Sequence, residues 1–467
     1  MVIIKNLSYQ VLGKVVSMVA TAVGIGLITK ILGTELYGKY VFIITFLTIF
    51  FTFSDWGINT IAVKELSGQK EISKEYFSKV FITRILFSIV MCLLAFLSSI
   101  LFRLENDMLL AILIGLPMII CYSINSASSI IFQAKFMYKF DFLVRLVYSV
   151  ISLFFLYYLT IETSNVFLIV FTSVLGWIVS SIFSIYFIKD YLDFRSLKID
   201  YKFSRTLIIL TMPIGVALVI STLLSQVDKL IIPSLLNFEQ AGFYGLSYKV
   251  FEFLLVIPTF FVNSIFIILA DKKHNKYIFN YSILILIFTS VVLTFLSIFF
   301  AQDIVRLLSN QSFSSSVLPL QFLSLGLLIF FITALLRLQL VFEEKDKLFF
   351  YIYFSSLVLN VILNFILLPI VGIIGASIAT VLSEVIVLIL MVKELNVSVI
   401  TKENLLFLNK VILVCSLAFL PSIFFKTFGL LLNLALISIL LFIFSYAFGL
   451  TKQVINLFRG IEGKLFN

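Results

Sequence analysis

The sequence predicts an all-α polytopic membrane protein of about fourteen transmembrane helices, arranged as two parallel-repeat six-helix lobes around a central cavity, with both termini cytoplasmic. Three observations predict it. The 467 residues are 61% apolar and 12% charged, with a mean hydropathy of +1.17; a soluble domain is about half apolar and about a quarter charged. Apolar runs of the ~20 residues that cross a bilayer recur along the whole chain. Lys and Arg gather in alternate connections, as they do in cytoplasmic loops. So little polar surface excludes a soluble enzyme, and 53 Phe suit a lipid-facing exterior.

In chain order the spans are predicted at 8–30, 40–60, 80–102, 108–132, 142–161, 165–188, 207–232, 242–270, 278–301, 317–341, 349–369, 373–393, 407–425 and 428–449, with Pro421 and Lys426 where the last two turn. With the N-terminus inside, 23 Lys and Arg fall in cytoplasmic connections and termini, 5 in external ones and six within spans. The net charge of +10 is therefore topological, and nucleic acid is not an expected partner. The longest polar stretch, 189–205, is cytoplasmic and joins the sixth and seventh spans. The predicted organisation is a first lobe over 1–190, a cytoplasmic linker over 191–206, a second lobe over 207–395, and two additional helices with a cytoplasmic tail over 396–467.

Several features argue against chemistry outside the bilayer. Cys92, Cys121 and Cys415 sit inside apolar runs and read as small buried hydrophobes. The N-terminal MVIIKNLSYQ has no signal-peptide pattern, so no removable leader is expected. His274 is the single His and reads as a solvated loop residue, which excludes a His-rich metal site. No P-loop or GxGxxG is present.

An internal repeat appears at an offset of 204: LGTELYGKY (32–40) is echoed by LNFEQAGFY (236–244), aligning Tyr40 with Tyr244. Thr45, Thr48, Thr52, Asp55 and Asn59 are spaced to share one face of the second span, and the offset carries them to Lys249, Glu252, Val256, Thr259 and Asn263. The stripe Gln10, Lys14, Ser17, Thr21 and Gly24 marks the first span; its last three members correspond to Ser221, Ser225 and Asp228. Ser173, Gly176 and Ser180 correspond likewise to Ser377, Thr380 and Glu384. Six spans per repeat return the chain to the same side, so the halves are parallel, as in two-lobed alternating-access transporters. Small polar residues also serve close helix packing. Ionisable groups within the stripes favour a hydrated cavity, since a charge in hydrocarbon costs several kcal/mol unless it faces protein or water.

Three stretches carry a resemblance: ITKILGTELYGKYVFIITF with SDWGINTIAVKEL (28–66), QVDKLIIPSLLNFEQAGFYGLSYKV (226–250) and LNVILNFILLPIVGIIGASIATVLSE (359–384). They resemble the O-antigen and polysaccharide (Wzx-type) flippases of the multidrug/oligosaccharidyl-lipid/polysaccharide exporter superfamily, related to MATE exporters and peptidoglycan lipid II flippases. The resemblance covers essentially 1–393, and the extra pair of helices after 400 looks like that of the fourteen-helix lipid II flippases. It implies a MATE-like fold in a bacterial inner membrane. It also implies a polyprenyl-pyrophosphate-linked oligosaccharide as substrate, moved to the outer leaflet by alternating access.

An anionic head group calls for basic cavity residues, and Lys14, Lys229, Lys249, Arg145 and Arg337 are the candidates. Lys249 and Glu252 also stand where they can pair with each other, and Arg84, Arg145 and Arg337 where they can snorkel to the interface. The polar stripe expected around the substrate comprises Gln10, Ser17, Thr21, Thr48, Thr52, Asn59, Ser221, Ser225 and Asn263. Asp55, Asp228, Glu252 and Glu384 are candidates for coupling H⁺ or Na⁺, alongside the membrane potential; no other cofactor and no metal site is expected. Tyr37, Tyr40, Tyr244 and Tyr248 read either as sugar-stacking platforms or as an interfacial aromatic belt. Expected partners are the lipid-linked oligosaccharide, the bilayer, and the polymerase and chain-length machinery of polysaccharide assembly, with the protein itself a monomer. The rival reading is a MATE-like cation-coupled drug exporter, for which the first span supplies Lys14 but no acid.

Overall fold

The computed structural model describes residues 2–67, 72–102, 104–159, 165–193, 195–196, 198–269, 275–343, 345–395, 397, 399, 401–424 and 430–452. His274 lies outside them. The described elements are helices: α1 (Val2–Asp55), α2 (Ile58–Ser67), α3 (Lys74–Leu101), α4 (Asn106–Gly115), α5 (Pro117–Ala134), α6 (Tyr138–Leu159), α7 (Val166–Ile188), α8 (Tyr201–Leu235), α9 (Phe238–Leu269), α10 (Asn275–Phe299), α11 (Ala301–Leu308), α12 (Val317–Leu325), α13 (Leu327–Phe342), α14 (Asp346–Val371), α15 (Ile373–Leu395), α16 (Lys402–Phe424) and α17 (Leu430–Ala447). An all-helical chain follows from its solvent, because lipid cannot satisfy backbone N–H and C=O groups and a helix satisfies them internally.

Eleven helices among the described residues are long and apolar enough to cross a membrane, or twelve if Gln311–Leu325 and Leu327–Leu340, bent by 48°, form one span. The protein is a multi-pass membrane protein. The difference from the expected fourteen has two sources. The first two predicted spans lie on α1, which breaks at Gly33, where φ 69 and ψ −168 leave the helical region. The last falls on α17, whose apolar stretch Leu432–Ala447 is shorter than the other spans. Two further breaks fall inside predicted spans: Pro117 opens α5 after α4, and Gly326, itself in a helical conformation, separates α12 from α13 where a Cβ would stand 2.8 Å from Val381.

The predicted face running from Thr45 to Asn59 is not one helix. Helix α1 stops at Asp55, and Trp56 (φ 46) and Gly57 (φ 73) redirect the chain into α2. The left-handed backbone at residue 57 suits glycine, and a Cβ there would also stand 2.8 Å from the Ile214 side chain.

The chain divides into two compact units, Met1–Gly245 with Leu308–Ser312, and Leu246–Leu307 with Phe313–Asn467. Helix α8, assigned from the sequence to the second lobe, belongs with the first unit. Within that unit the repeat is visible as a contact. Gly38 and Gly242, 204 residues apart, face each other so closely that a Cβ on Gly38 would lie within bonding distance of the Phe238 carbonyl oxygen; one on Gly242 would lie 2.5 Å from that of Thr34. Thr34 donates to Glu239 Oε1 at 2.8 Å beside them. The helices cross with no side chain between their backbones, the small-residue packing common in membrane proteins.

Candidate functional site

The first unit forms a half-open cavity of about 600 Å³. Its walls come from five elements. Helix α1 supplies Ser17, Thr21, Gly24 and Tyr40, and α2 supplies Asn59. Helix α5 presents Tyr122, Asn125, Ser126 and Ser129, residues spaced to share a face. Asp141, Arg145 and Tyr148 come from α6, Ser173 and Trp177 from α7. Many of the helix hydroxyls satisfy their protons locally: Ser17 donates to the Gly13 carbonyl at 2.9 Å and Thr21 to that of Ser17 at 2.7 Å. Such back-bonding allows a hydroxyl in an apolar helix and leaves its oxygen free to accept from a guest.

Behind one wall, reached through Asn59 and Ser126, lies a cross-helix charge network. Arg84 on α3 is fully buried. Its Nη2 lies 2.8 Å from Asp55 Oδ1, and its Nη1 donates to Asn59 Oδ1 at 2.5 Å. Asn59 in turn donates to Ser126 Oγ at 2.9 Å, and Ser126 donates to Asp55 Oδ1 at 3.2 Å. A buried arginine is tolerable only with such partners, because desolvating a guanidinium costs several kcal/mol. The snorkelling reading of Arg84 is therefore corrected: the side chain turns inward to hold the α1–α2 corner against α5.

An aromatic cluster forms a second wall. Phe51 stacks on Tyr122 with centroids 5.1 Å apart and planes 10° from parallel. Trp177 packs against Tyr148 at 4.9 Å and Tyr122 at 5.9 Å. These contacts lie in the range of favourable ring pairs.

Of the predicted site residues, Ser17, Thr21, Asn59 and Arg145 line the cavity. Arg145 is half exposed, with its Nε 2.9 Å from Asp141 Oδ2. Lys14 is exposed and outside the lining, as is the half-buried Gln10. Thr48 donates to the Ile44 carbonyl, while Thr52 meets Thr222 at 3.1 Å, hydroxyl to hydroxyl. Ser221 is half-buried, and Ser225 donates to the Thr222 carbonyl at 2.9 Å. Asp228 and Lys229 are buried on α8, and Tyr244 donates to Asp228 at 2.7 Å.

In the second unit Lys249 and Glu252 pair at 2.6 Å, and Asn263 is exposed. Arg337 donates to the Tyr353 hydroxyl at 2.8 Å, and the buried Glu384 accepts from Thr333. Tyr37, Tyr244 and Tyr248 are at most 3% exposed, which removes the interfacial-belt reading for them, while Tyr40 lines the cavity. No group of metal-ligating residues occurs among the described residues.

The sequence reading named Arg145 on α6 and the Ser173 stripe on α7 but missed α5 as a principal wall, and with it the aromatic part of the lining. The signal was present: Tyr122, Asn125, Ser126, Ser129 and Gln133 make a polar face in an apolar span, and Trp177 is one of only two Trp.

Comparison with known proteins agrees with this architecture. The chain is similar to the structure of "Lipid II flippase MurJ, inward closed conformation", with a TM-score of 0.79, 14% identity, and coverage of 94% of this chain and 98% of that one. An inward-facing multidrug resistance MATE family transporter of the MOP superfamily gives a TM-score of 0.64 at 12% identity, over 83% of this chain and 94% of that one. A capsular polysaccharide biosynthesis protein, CapF of Staphylococcus aureus, is 22% identical over 403 residues, 83% of this chain and 97% of the relative. The fold is thus the one that these two structures share. The polysaccharide biosynthesis protein family model matches residues 3–269, more than half the chain, and the protein belongs to that family.

Proposed function

We propose that this protein flips a polyprenyl-pyrophosphate-linked oligosaccharide repeat unit from the cytoplasmic to the outer leaflet of a bacterial plasma membrane by alternating access. The observation that carries the reading is the cavity of about 600 Å³ lined by amides, hydroxyls and aromatic rings, in a chain that is 61% apolar. Sugar hydroxyls left unsatisfied in hydrocarbon cost several kcal/mol each. A lined cavity removes that cost while the polyprenyl tail stays in lipid. Membership of a polysaccharide biosynthesis family and likeness to CapF support the substrate class. The 23 to 5 partition of basic residues supports cytoplasmic termini.

With the cytoplasm negative, the membrane potential drives an anionic head group outward by about 2.3 kcal/mol per charge per 100 mV. Asp55, Asp228, Glu252 and Glu384 stay in this proposal as the carboxylates that would couple H⁺ or Na⁺. Transport in vesicles that ignores both an imposed potential and ion gradients would remove this part.

The drug-exporter reading draws on the MATE-like fold. It is the weaker one, because Asp141, the one carboxylate among the described lining residues, lies against Arg145, and Asp55 behind the wall lies against Arg84. The test is the leaflet distribution of the lipid-linked oligosaccharide in spheroplasts of a deletion strain lacking any second flippase. Inward accumulation, reversed by the wild-type gene, is expected; normal outward display in the deletion strain would discard the flippase.

A further inference from the structure

Charge is compensated wherever it meets the cavity. Arg145 is the one cation among the described lining residues, and it lies against Asp141, itself part of the lining. Behind the wall, Arg84 is committed to Asp55 and Asn59. The rest of the described lining is uncharged: amides, hydroxyls and flat aromatic rings, with an aliphatic share from Ile25, Ile28, Val144, Leu153 and Leu156. Asn125 is the informative one. Its Nδ2 donates to Ser180 at 2.9 Å, while its Oδ1 is buried with no hydrogen-bond partner. The residue is half-buried in the cavity wall, where the exposed part of its side chain can meet a guest.

A pyrophosphate is a poor guest here. It would be stripped of water to meet a single guanidinium that already has a carboxylate beside it, and the Asp141 charge would repel it. An uncharged pyranose fits on each count. Its hydroxyls supply both donors and acceptors, its C–H face is apolar, and the volume lies within the range of pockets for small organic ligands. Trp177 and Tyr122 offer rings for that face, with Asn59, Asn125 and Ser126 as the polar groups that set orientation.

We propose that the cavity is a glycan subsite that takes an uncharged sugar ring of the lipid-linked oligosaccharide and leaves the pyrophosphate outside. The proposal rests on the flippase reading and adds to it which part of the substrate this lobe recognises.

The chain contains two Trp, Trp56 and Trp177, so a Trp56→Phe variant of the full protein in lipid nanodiscs leaves Trp177 as the one indole. The probes are D-glucose, N-acetyl-D-glucosamine, D-glucuronate and inorganic pyrophosphate. The expected result is a saturable change in Trp177 emission with the two neutral sugars. Its Kd should shift less than about twofold between roughly 50 and 500 mM salt, since no net charge is exchanged. Asn125→Ala should weaken it about tenfold, as loss of a hydrogen bond to a buried group does. Calorimetry on the wild type gives the same comparison without Trp56→Phe.

Saturation by pyrophosphate or glucuronate alone, with salt-sensitive affinity, would overturn the proposal. So would silence toward both neutral sugars up to about 50 mM, a range reaching affinities weaker than −4.1 kcal/mol, the free energy of 1 mM binding. Both outcomes are separable from failure of the flippase reading. A protein that restores outward display in the deletion strain but ignores neutral sugars remains a flippase without this subsite.

Discussion

The Arg84–Asp55 pair gives the most demanding prediction, because opposite results follow from breaking it and from removing it. Arg84 is fully buried and its guanidinium stands 2.8 Å from an Asp55 carboxylate that is 13% exposed. Arg84→Met leaves Asp55 without its counter-charge and Asn59 without its donor. Loss of one partner of a buried pair costs about 3–5 kcal/mol, and the slight exposure of Asp55 puts the expectation near 3. Asp55→Asn strands the guanidinium and should cost about the same. In the double variant no charge is buried, and the two losses should collapse to about 1–2 kcal/mol in total. The assay is reversible denaturant unfolding in micelles, followed by Trp emission, on all four proteins. Additive losses, with the double variant about 6 kcal/mol below wild type, would refute the reasoning by showing that the residues do not share one electrostatic site.

Other outcomes follow from the same geometry. Gly38→Ala and Gly242→Ala place a Cβ against backbone carbonyls and should cost at least the 1–3 kcal/mol typical of overpacking, with glycan export falling accordingly; Gly26→Ala, whose nearest neighbour is 3.9 Å away, should be silent in the same export assay. In the leaflet assay Asn125→Ala and Trp177→Leu should reduce outward display more than Lys14→Ala, because Lys14 is outside the cavity lining. Just ahead of α8, Asp200 caps it by accepting from the Phe203 N–H at 3.0 Å, and that bond holds its carboxyl below the ordinary 3.8. A carboxylate with a lowered folded pKa contributes stability that is present above its unfolded pKa and fades as pH falls through the folded one. Asp200→Ala should therefore flatten the acid limb of the unfolding curve below about pH 4 and leave its shape at neutral pH unchanged.

What the sequence by itself determined is the set of apolar spans and the break between the first two. A bilayer imposes a length and a solvent on each segment separately, so about 20 apolar residues mean a helix whatever surrounds them. Gly33, in the connection predicted between the first two spans, breaks α1 through its own backbone chemistry, whereas the predicted spans 108–132 and 317–341 run straight through the breaks at Pro117 and Gly326. The repeat was legible too, and Gly38 against Gly242 is its offset of 204 made into a contact.

Only the tertiary structure decided which polar residues meet. Arg84 looked like an interfacial residue because its sequence neighbours are near a helix end; its partner Asp55 is 29 positions away and reaches it through a corner at Trp56–Gly57 that no periodicity announces. Trp177, Tyr122 and Phe51 are unremarkable aromatics in three different spans until packing stacks them. Lys14 lies on the same polar stripe as Ser17 and Thr21, yet those two line the cavity and Lys14 does not. Hydropathy is a property of one segment and survives any arrangement, whereas a site is a property of several helices at once and depends on how each is rotated and broken.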